Sequence, residues 1–330
     1  MEKFVTGERM DPAESISGEE LFSVSTDSLH FMQKAPCDLF RCNRSGEYVL
    51  FVAQHGSLGQ PAIDSLQFYG TERLYVRLED AAFYSRILRS RLDDLVHNPN
   101  VGASVKARAV QAACRDVMRR AFEDPRGPFI KQACDVIVPT VDLIVNNEEA
   151  TKHLVRLTAF DHATYVHSTN VGIFGVALAR LFFGRNSSHD MHNLGTGFFL
   201  HDIGKCRIPL DILNKPGKLT PEERLVVNCH VEDGYNILGE NGIITDEART
   251  IILQHHERDN GTGYPHGKLG SDIHPYARIC RIADIYEALT ADRPYHQRRT
   301  TFEALKIMKD QEVADVDQGI FAHFIRLFMS

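Results

Sequence analysis

With 330 residues, a formal net charge of −7 and a pI near 6.1, the chain is long enough for two ordinary domains. It is too acidic to coat a nucleic acid polymer or an anionic membrane surface, which takes a basic face. Seven cysteines without a C-x-x-C pair point to neither a disulfide framework nor a zinc ribbon, so a reducing cytoplasm is the expected location.

In chain order, residues 1 to about 35 are polar and acidic, and the start is expected to be mobile and without chemistry. The N-terminus has no apolar run of signal-peptide length, and no later segment offers about 20 uninterrupted apolar residues, so no membrane segment is expected. From Asp38 to Ala53 the runs DLFRC and YVLFVA read as two strands joined by a hairpin at Asn43-Arg44-Ser45-Gly46. A helix over Pro61 to Phe68, a strand over Arg73 to Arg77 and an amphipathic helix over Asp80 to His97 follow, giving a small α/β unit without a site motif.

Asn98-Pro99-Asn100 breaks the chain, and strand signals largely vanish beyond it. Helical periodicity covers Val105 to Phe122 and Phe129 to Val145. Thr220-Pro221-Glu222-Glu223 combines an N-cap, a first-turn proline and a glutamate at the third position, which starts a helix and places His230 in its third turn. Thr245 precedes a helix ending near His255-His256, and Thr300 with Glu303 forms a second capping box.

The chemistry concentrates between His201 and Asp284. The candidate ligands His167, His201, Asp202, His230, His255, His256 and Asp284 combine neutral imidazoles with carboxylates able to bridge two cations. Such a set suits iron, manganese or similar divalent ions. The Asp202 carboxylate can bridge while His201 binds terminally, and the glycine-rich run after His255-His256 leaves room for a substrate. His189-Asp190 lacks a following Gly-Lys and reads as a loop and helix start; His192, His266, His274 and His323 read as ordinary surface or core residues.

In order, His201-Asp202-Ile203-Gly204-Lys205, His255-His256-Glu257-Arg258, Asn260-Gly261-Thr262-Gly263-Tyr264-Pro265 and the stretch from Arg281 to Tyr295 resemble the HD-GYP family of bacterial cyclic di-GMP phosphodiesterases, a branch of the HD metal-dependent phosphohydrolases. The resemblance runs from Asp161 to the C-terminus. It implies a mainly α protein, with an all-helical HD-type bundle over 151–330, connecting helices over 98–150 and a small N-terminal α/β regulatory domain over 1–97.

By position, it makes those seven residues the ligands of two divalent ions, iron first and manganese second, with Asp202 as the bridge. Asp202 and Lys205 are the implied catalytic residues, and Lys205, Gly263, Tyr264 and Arg293 the implied contacts to cyclic di-GMP. Some relatives hold a third metal through a glutamate four residues before the first histidine; Ala163 stands there, so two metals and linear pGpG as main product are expected. Asn260 replaces an aspartate common in the family, which bears on the rigidity of the loop. The resemblance also brings a diguanylate cyclase domain as partner and a homodimer into view. Two other functions compete: a receptor that binds cyclic dinucleotide without useful turnover and signals through its N-terminal domain or a partner, and a hydrolase for hybrid cyclic GMP-AMP. Cys206, Cys229 and Cys280, near the proposed ligands, read first as packing residues and second as a redox influence on a ferrous site.

Overall fold

The computed structural model describes residues 18–29, 32–158, 163–184, 188–291, 298–310 and 316–329. The chain divides into two compact units, residues 1–87 and residues 88–330.

In the first unit, β1 (Leu21–Ser25), β2 (Leu39–Cys42), β3 (Tyr48–Val52) and β4 (Arg73–Arg77) form one sheet in the order β1-β4-β2-β3, with antiparallel pairing throughout. The alternation Leu-Phe-Ser-Val-Ser buries Leu21, Phe22 and Val24, so β1 contributes to the core of this unit. The polar stretch before residue 35 gives no strand signal, yet β1 forms within it: five residues suffice for an edge strand because β4 supplies its partner carbonyls and amides. The hairpin turns at Asn43, whose side-chain oxygen accepts from the amides of Ser45 and Glu47. Helix α1 (Gln60–Phe68) precedes β4, and α2 (Ala81–His97), within which the division falls, follows it.

The second unit continues with α3 (Ala103–Glu123), α4 (Gly127–Asn146), α5 (Glu148–Leu157), α6 (Thr164–Phe183) and α7 (Met191–Leu200). Next come α8 (Leu210–Leu213), α9 (Pro221–Asn228), α10 (His230–Glu240), α11 (Asp246–Gln254), α12 (Pro275–Thr290), α13 (Thr301–Asp310) and α14 (Gln318–Ile325). α6 is long and apolar enough to cross a membrane by length and composition, but 78% of its apolar window is buried within the protein. Every residue from Val166 to Arg180 is buried, as for the central helix of a bundle. The rings of Phe198 and Phe199 on α7 lie over Gly175 and Gly172 of α6. Phe174 meets Tyr286 of α12 edge-on at 5.1 Å and Phe324 of α14 at 6.0 Å, so aromatic packing fixes α12 against α6.

The helix starts follow the cap residues. Thr220 and Glu223 close a reciprocal capping box on α9, Thr245 accepts the amide of Ala248 on α11, and Thr300 and Glu303 exchange hydrogen bonds ahead of α13. Asp190 caps α7 through the amides of His192 and Asn193, so the second His-Asp pair is a helix start. One boundary departs from the sequence reading. The helix beginning after Thr220 is interrupted at Cys229, and His230 opens α10 instead of lying in a third turn. Its ring Nδ1 engages the Val227 carbonyl at 2.6 Å, a side-chain bond to an acceptor that an uninterrupted helix would use for its own amides.

Candidate metal centre

Three of the histidines sit where a helix ends or breaks: His201 after α7, His230 between α9 and α10, and His255 after α11. The last carbonyls of a helix lack an amide partner, and these rings supply one. His201 Nδ1 donates to the Phe198 carbonyl at 2.9 Å, His230 Nδ1 to Val227 at 2.6 Å and His255 Nδ1 to Ile252 at 2.8 Å, three residues back in every case. A carbonyl only accepts, so each Nδ1 carries the proton and each Nε2 presents a lone pair. His167 is oriented differently, from within α6: its Nδ1 is bonded to the Glu287 carboxylate of α12, and against burial the carboxylates of Glu287, Asp202 and Asp284 raise the ring well above its ordinary value.

The Nε2 atoms converge on Asp202. Oδ2 of Asp202 lies 3.4 Å from His167 Nε2 and 3.4 Å from His201 Nε2, while Oδ1 lies 3.2 Å from His230 Nε2 and 3.7 Å from His255 Nε2. Asp284 adds Oδ1 at 3.3 Å from His167 Nε2. Candidate ligand atoms within 4.8 Å of one another form two groups, His167, His201 and Asp202, and Asp202, His230, His255 and His256. The adjacent pairs therefore behave differently: His201-Asp202 reaches both groups, whereas His255-His256 stays in one. His201, His230 and His255 are fully buried and Asp202 nearly so, yet His201 Nε2 and Asp202 Oδ1 have no hydrogen-bond partner. Buried acceptors without a partner are costly, at about 1–3 kcal/mol each, and nitrogen and oxygen ligand atoms of this kind suit a divalent cation. The residues fit a metal.

Electrostatics agree. Burial pushes the Asp202 carboxyl up, but Lys205, whose ammonium contacts Oδ2, and the rings of His201 and His167 outweigh it and hold the group well below the usual carboxylate range. Burial is likewise outweighed at Asp284 by its hydrogen bond to His167 and by the imidazoles around it, which hold the carboxyl well below the usual range. Burial lowers His255 to about 4 and, with its neighbour His255, lowers His256 well below the ordinary range, so both rings stay neutral and available as ligands.

Two glycines let the backbone come close enough. A Cβ on Gly204 would stand 1.9 Å from the His230 carbonyl oxygen and 2.5 Å from the Gly234 amide, so only glycine lets the turn carrying Asp202 press against α10. Gly263 lies on the segment 256–258, where a Cβ would meet backbone atoms at 2.4–2.6 Å. This packing brings Tyr264 over His256, with stacked rings 4.7 Å apart at 27° and the Tyr264 amide donating to the His256 carbonyl. Burial raises the Tyr264 phenol above its ordinary value, keeping it a neutral hydroxyl. Asn260 Oδ1 accepts from the amide and hydroxyl of Thr262, so asparagine closes this turn.

The five imidazoles thus meet around Asp202, Asp284 joins them through His167, and Lys205, Gly263 and Tyr264 lie at the margin; Arg293 lies outside the described residues. Arg281 stands beside His256, with Nη1 3.3 Å from Nδ1, whereas Arg278 ties Asp259 to Asp317. Cys280 and Cys206 are raised by burial, Cys206 to about 11, as packing thiols are. Two carboxylates escaped the sequence reading. Glu287 holds His167. Glu257, buried, accepts the amides of His266 and Lys268 at 2.8 Å each and so closes the glycine-rich loop.

Comparison with known proteins gives a consistent result. Residues 184–320 match the family model described as HD domain. A cyclic di-GMP phosphodiesterase of Pseudomonas aeruginosa is 34% identical over 194 residues, 59% of this chain and 46% of that one. A 3'3'-cGAMP-specific phosphodiesterase of Vibrio cholerae is 37% identical over 161 residues, 47% of this chain and 30% of that one. This chain spans less than half the length of either relative. Among solved structures, Bd1817 from Bdellovibrio bacteriovorus, described as a HDG"Y"P protein, superposes with a TM-score of 0.69 at 20% identity, covering 94% of this chain and all of that one. The chain thus carries a segment that matches the HD domain model, shares the fold of Bd1817 and is similar over part of its length to cyclic dinucleotide phosphodiesterases, with the histidines, aspartates and the Gly-Tyr-Pro run gathered at one site.

Proposed function

We propose that this chain is a metal-dependent phosphodiesterase that opens cyclic di-GMP to linear pGpG. The observation that carries the reading is the division of Asp202, whose Oδ2 faces His167 and His201 and whose Oδ1 faces His230 and His255. A carboxylate placed this way serves as a bridge between two cations. His167, His201 and Asp284 are the proposed further ligands on one side, and His230, His255 and His256 on the other. Iron is the first candidate and manganese the second. Two divalent ions bound there would supply an activated water and compensate charge on the phosphate oxygens.

The chain's own residues complete the site. Lys205 carries an ammonium already within the cluster, on Asp202 Oδ2, and is proposed to meet a non-bridging phosphate oxygen. The neutral Tyr264 hydroxyl can donate to the ligand, and Gly263 leaves that approach free of a side chain. Arg293 is proposed as a second phosphate contact because a guanidinium can bind a phosphate bidentately. Ala163 stands at the N-cap of α6, one turn before His167, and offers no oxygen beyond its carbonyl, which takes the His167 amide at 3.0 Å. The glutamate used for a third metal in some relatives is therefore missing, which supports pGpG as the main product. The relatives named as cyclic di-GMP phosphodiesterases support the substrate class; those named for 3'3'-cGAMP favour a second reading, in which the hybrid dinucleotide is the substrate.

The test is anaerobic hydrolysis of both dinucleotides by protein of measured metal content, with linear products separated over time. About two metals per chain and accumulating pGpG support the proposal, with turnover lost in Asp202→Ala. Faster cleavage of the hybrid dinucleotide moves the assignment to the second reading. Tight binding at full metal content without product leaves a receptor.

A further inference from the structure

We infer that Glu287 is a positioning residue for His167, and that it makes the His167 side of the cluster the tighter of two unequal cation sites. The inference rests on the two-metal reading above and deepens it.

His167 is the fourth residue of α6, where the carbonyls one turn back belong to the helix's own hydrogen-bond ladder. No spare carbonyl can orient its ring as at His201, His230 and His255, so the acceptor comes from another helix. α12 provides it. Asp284 and Glu287, three residues apart on one face, hold the two nitrogens of a single imidazole: Glu287 Oε2 takes Nδ1, and Asp284 Oδ1 lies 3.3 Å from Nε2. Glu287 is 2% exposed, and Asn170, one turn beyond His167, donates Nδ2 to its other oxygen at 3.2 Å. The carboxylate is thereby aimed at the ring and not at solvent.

A buried carboxylate behind a ligand imidazole fixes its tautomer and strengthens the lone pair on the far nitrogen; loss of such a partner costs about 10–100-fold in metal affinity. The other three orienting acceptors are uncharged carbonyls. Charge is also unevenly distributed. The side with His167 and His201 has Asp202 Oδ2, Asp284 and Glu287 behind it, set against the Lys205 ammonium on Oδ2 and the Arg281 guanidinium 4.0 Å from Asp284 Oδ2. The side with His230, His255 and His256 shares Asp202 through Oδ1, adds no carboxylate of its own, and has the Arg281 guanidinium 3.3 Å from His256 Nδ1. A divalent ion is favoured on the first side.

The experiment is an anaerobic Mn²⁺ titration of the metal-free full chain against a competing chelator, with bound metal counted after dialysis. The wild-type protein should bind two ions in steps at least tenfold apart. Glu287→Gln keeps the shape and removes the charge; it should weaken the tighter step about 10–100-fold and leave the weaker one within about twofold. Glu287→Asp should recover part of the loss. Thermal unfolding of the metal-free variants checks the fold, and if Glu287→Gln fails to fold, Asn170→Ala is titrated in its place, with a smaller loss expected on the same step. An unchanged tight step, or equal weakening of both, overturns this inference and leaves the proposed function standing. Fewer than two ions on the wild-type protein overturns the two-metal reading itself.

Discussion

Two segments border the cluster and are built in opposite ways. The stretch from Glu257 to Gly270 is stitched at many points: Glu257 holds two of its amides, Asp259 takes the Gly270 amide, Asn260 pairs with Leu269, and Arg278 reaches Asp259 and the Gly270 carbonyl. The stretch from Pro209 to Cys229, between the turn carrying Lys205 and the ligand candidate His230, has no buried residue. Its bonds are largely local, the Thr220 capping box and the Lys215–Glu223 ion pair, and Leu210 and Leu225 are 71% and 68% exposed. Local stability follows the density of internal contacts, so the first segment should open later than the second. Under the proposed function, a bulky dianion would enter and leave by the side that yields while the histidines stay in place.

The comparison can be broken by substitution. Glu257→Ala removes a buried acceptor from two amides and should cost about 3 kcal/mol, read as a lower denaturation midpoint with faster amide exchange over 261–268. If exchange there is unchanged, the loop is held by something other than Glu257. Gly263→Ala forces a Cβ into the backbone of 256–258 and should cost about 2 kcal/mol, with increased Tyr264 mobility in side-chain relaxation as the local sign. Thr220→Ala should cost about 1 kcal/mol and speed exchange in 221–228 alone; spread into 257–270 would mean the two segments open together. Leu225→Ser should stay within about 0.5 kcal/mol in the same denaturation measurement, because that side chain is already in water.

Much of this site was legible in the sequence because its donors belong to elements with local signatures. Thr220, Thr245 and Asp190 announce helix starts by their own side chains, and His201, Asp202, His230, His255 and His256 fall at or just beyond the ends of those helices. What stayed hidden depends on partners distant in the chain. Glu287 looks like any glutamate on an amphipathic helix; its spacing of three from Asp284 was the available signal, and its meaning needs α6 alongside. Glu257 had a clearer sign, a carboxylate between a histidine pair and a glycine-rich run. β1 was missed because five alternating residues in a polar stretch form a strand only once β4 is beside them. The interruption at Cys229 is invisible to periodicity, since the phase of the pattern barely changes when a side chain replaces one helical acceptor.

The placement of His201 and His255 after the last turns of α7 and α11 has an electrostatic consequence. Aligned peptide dipoles leave roughly half a negative elementary charge at a helix C-terminus, and two such ends are directed at one cluster. Part of the field that attracts a cation there is therefore carried by main-chain atoms. It has no proton to gain at low pH and no side chain to lose by substitution.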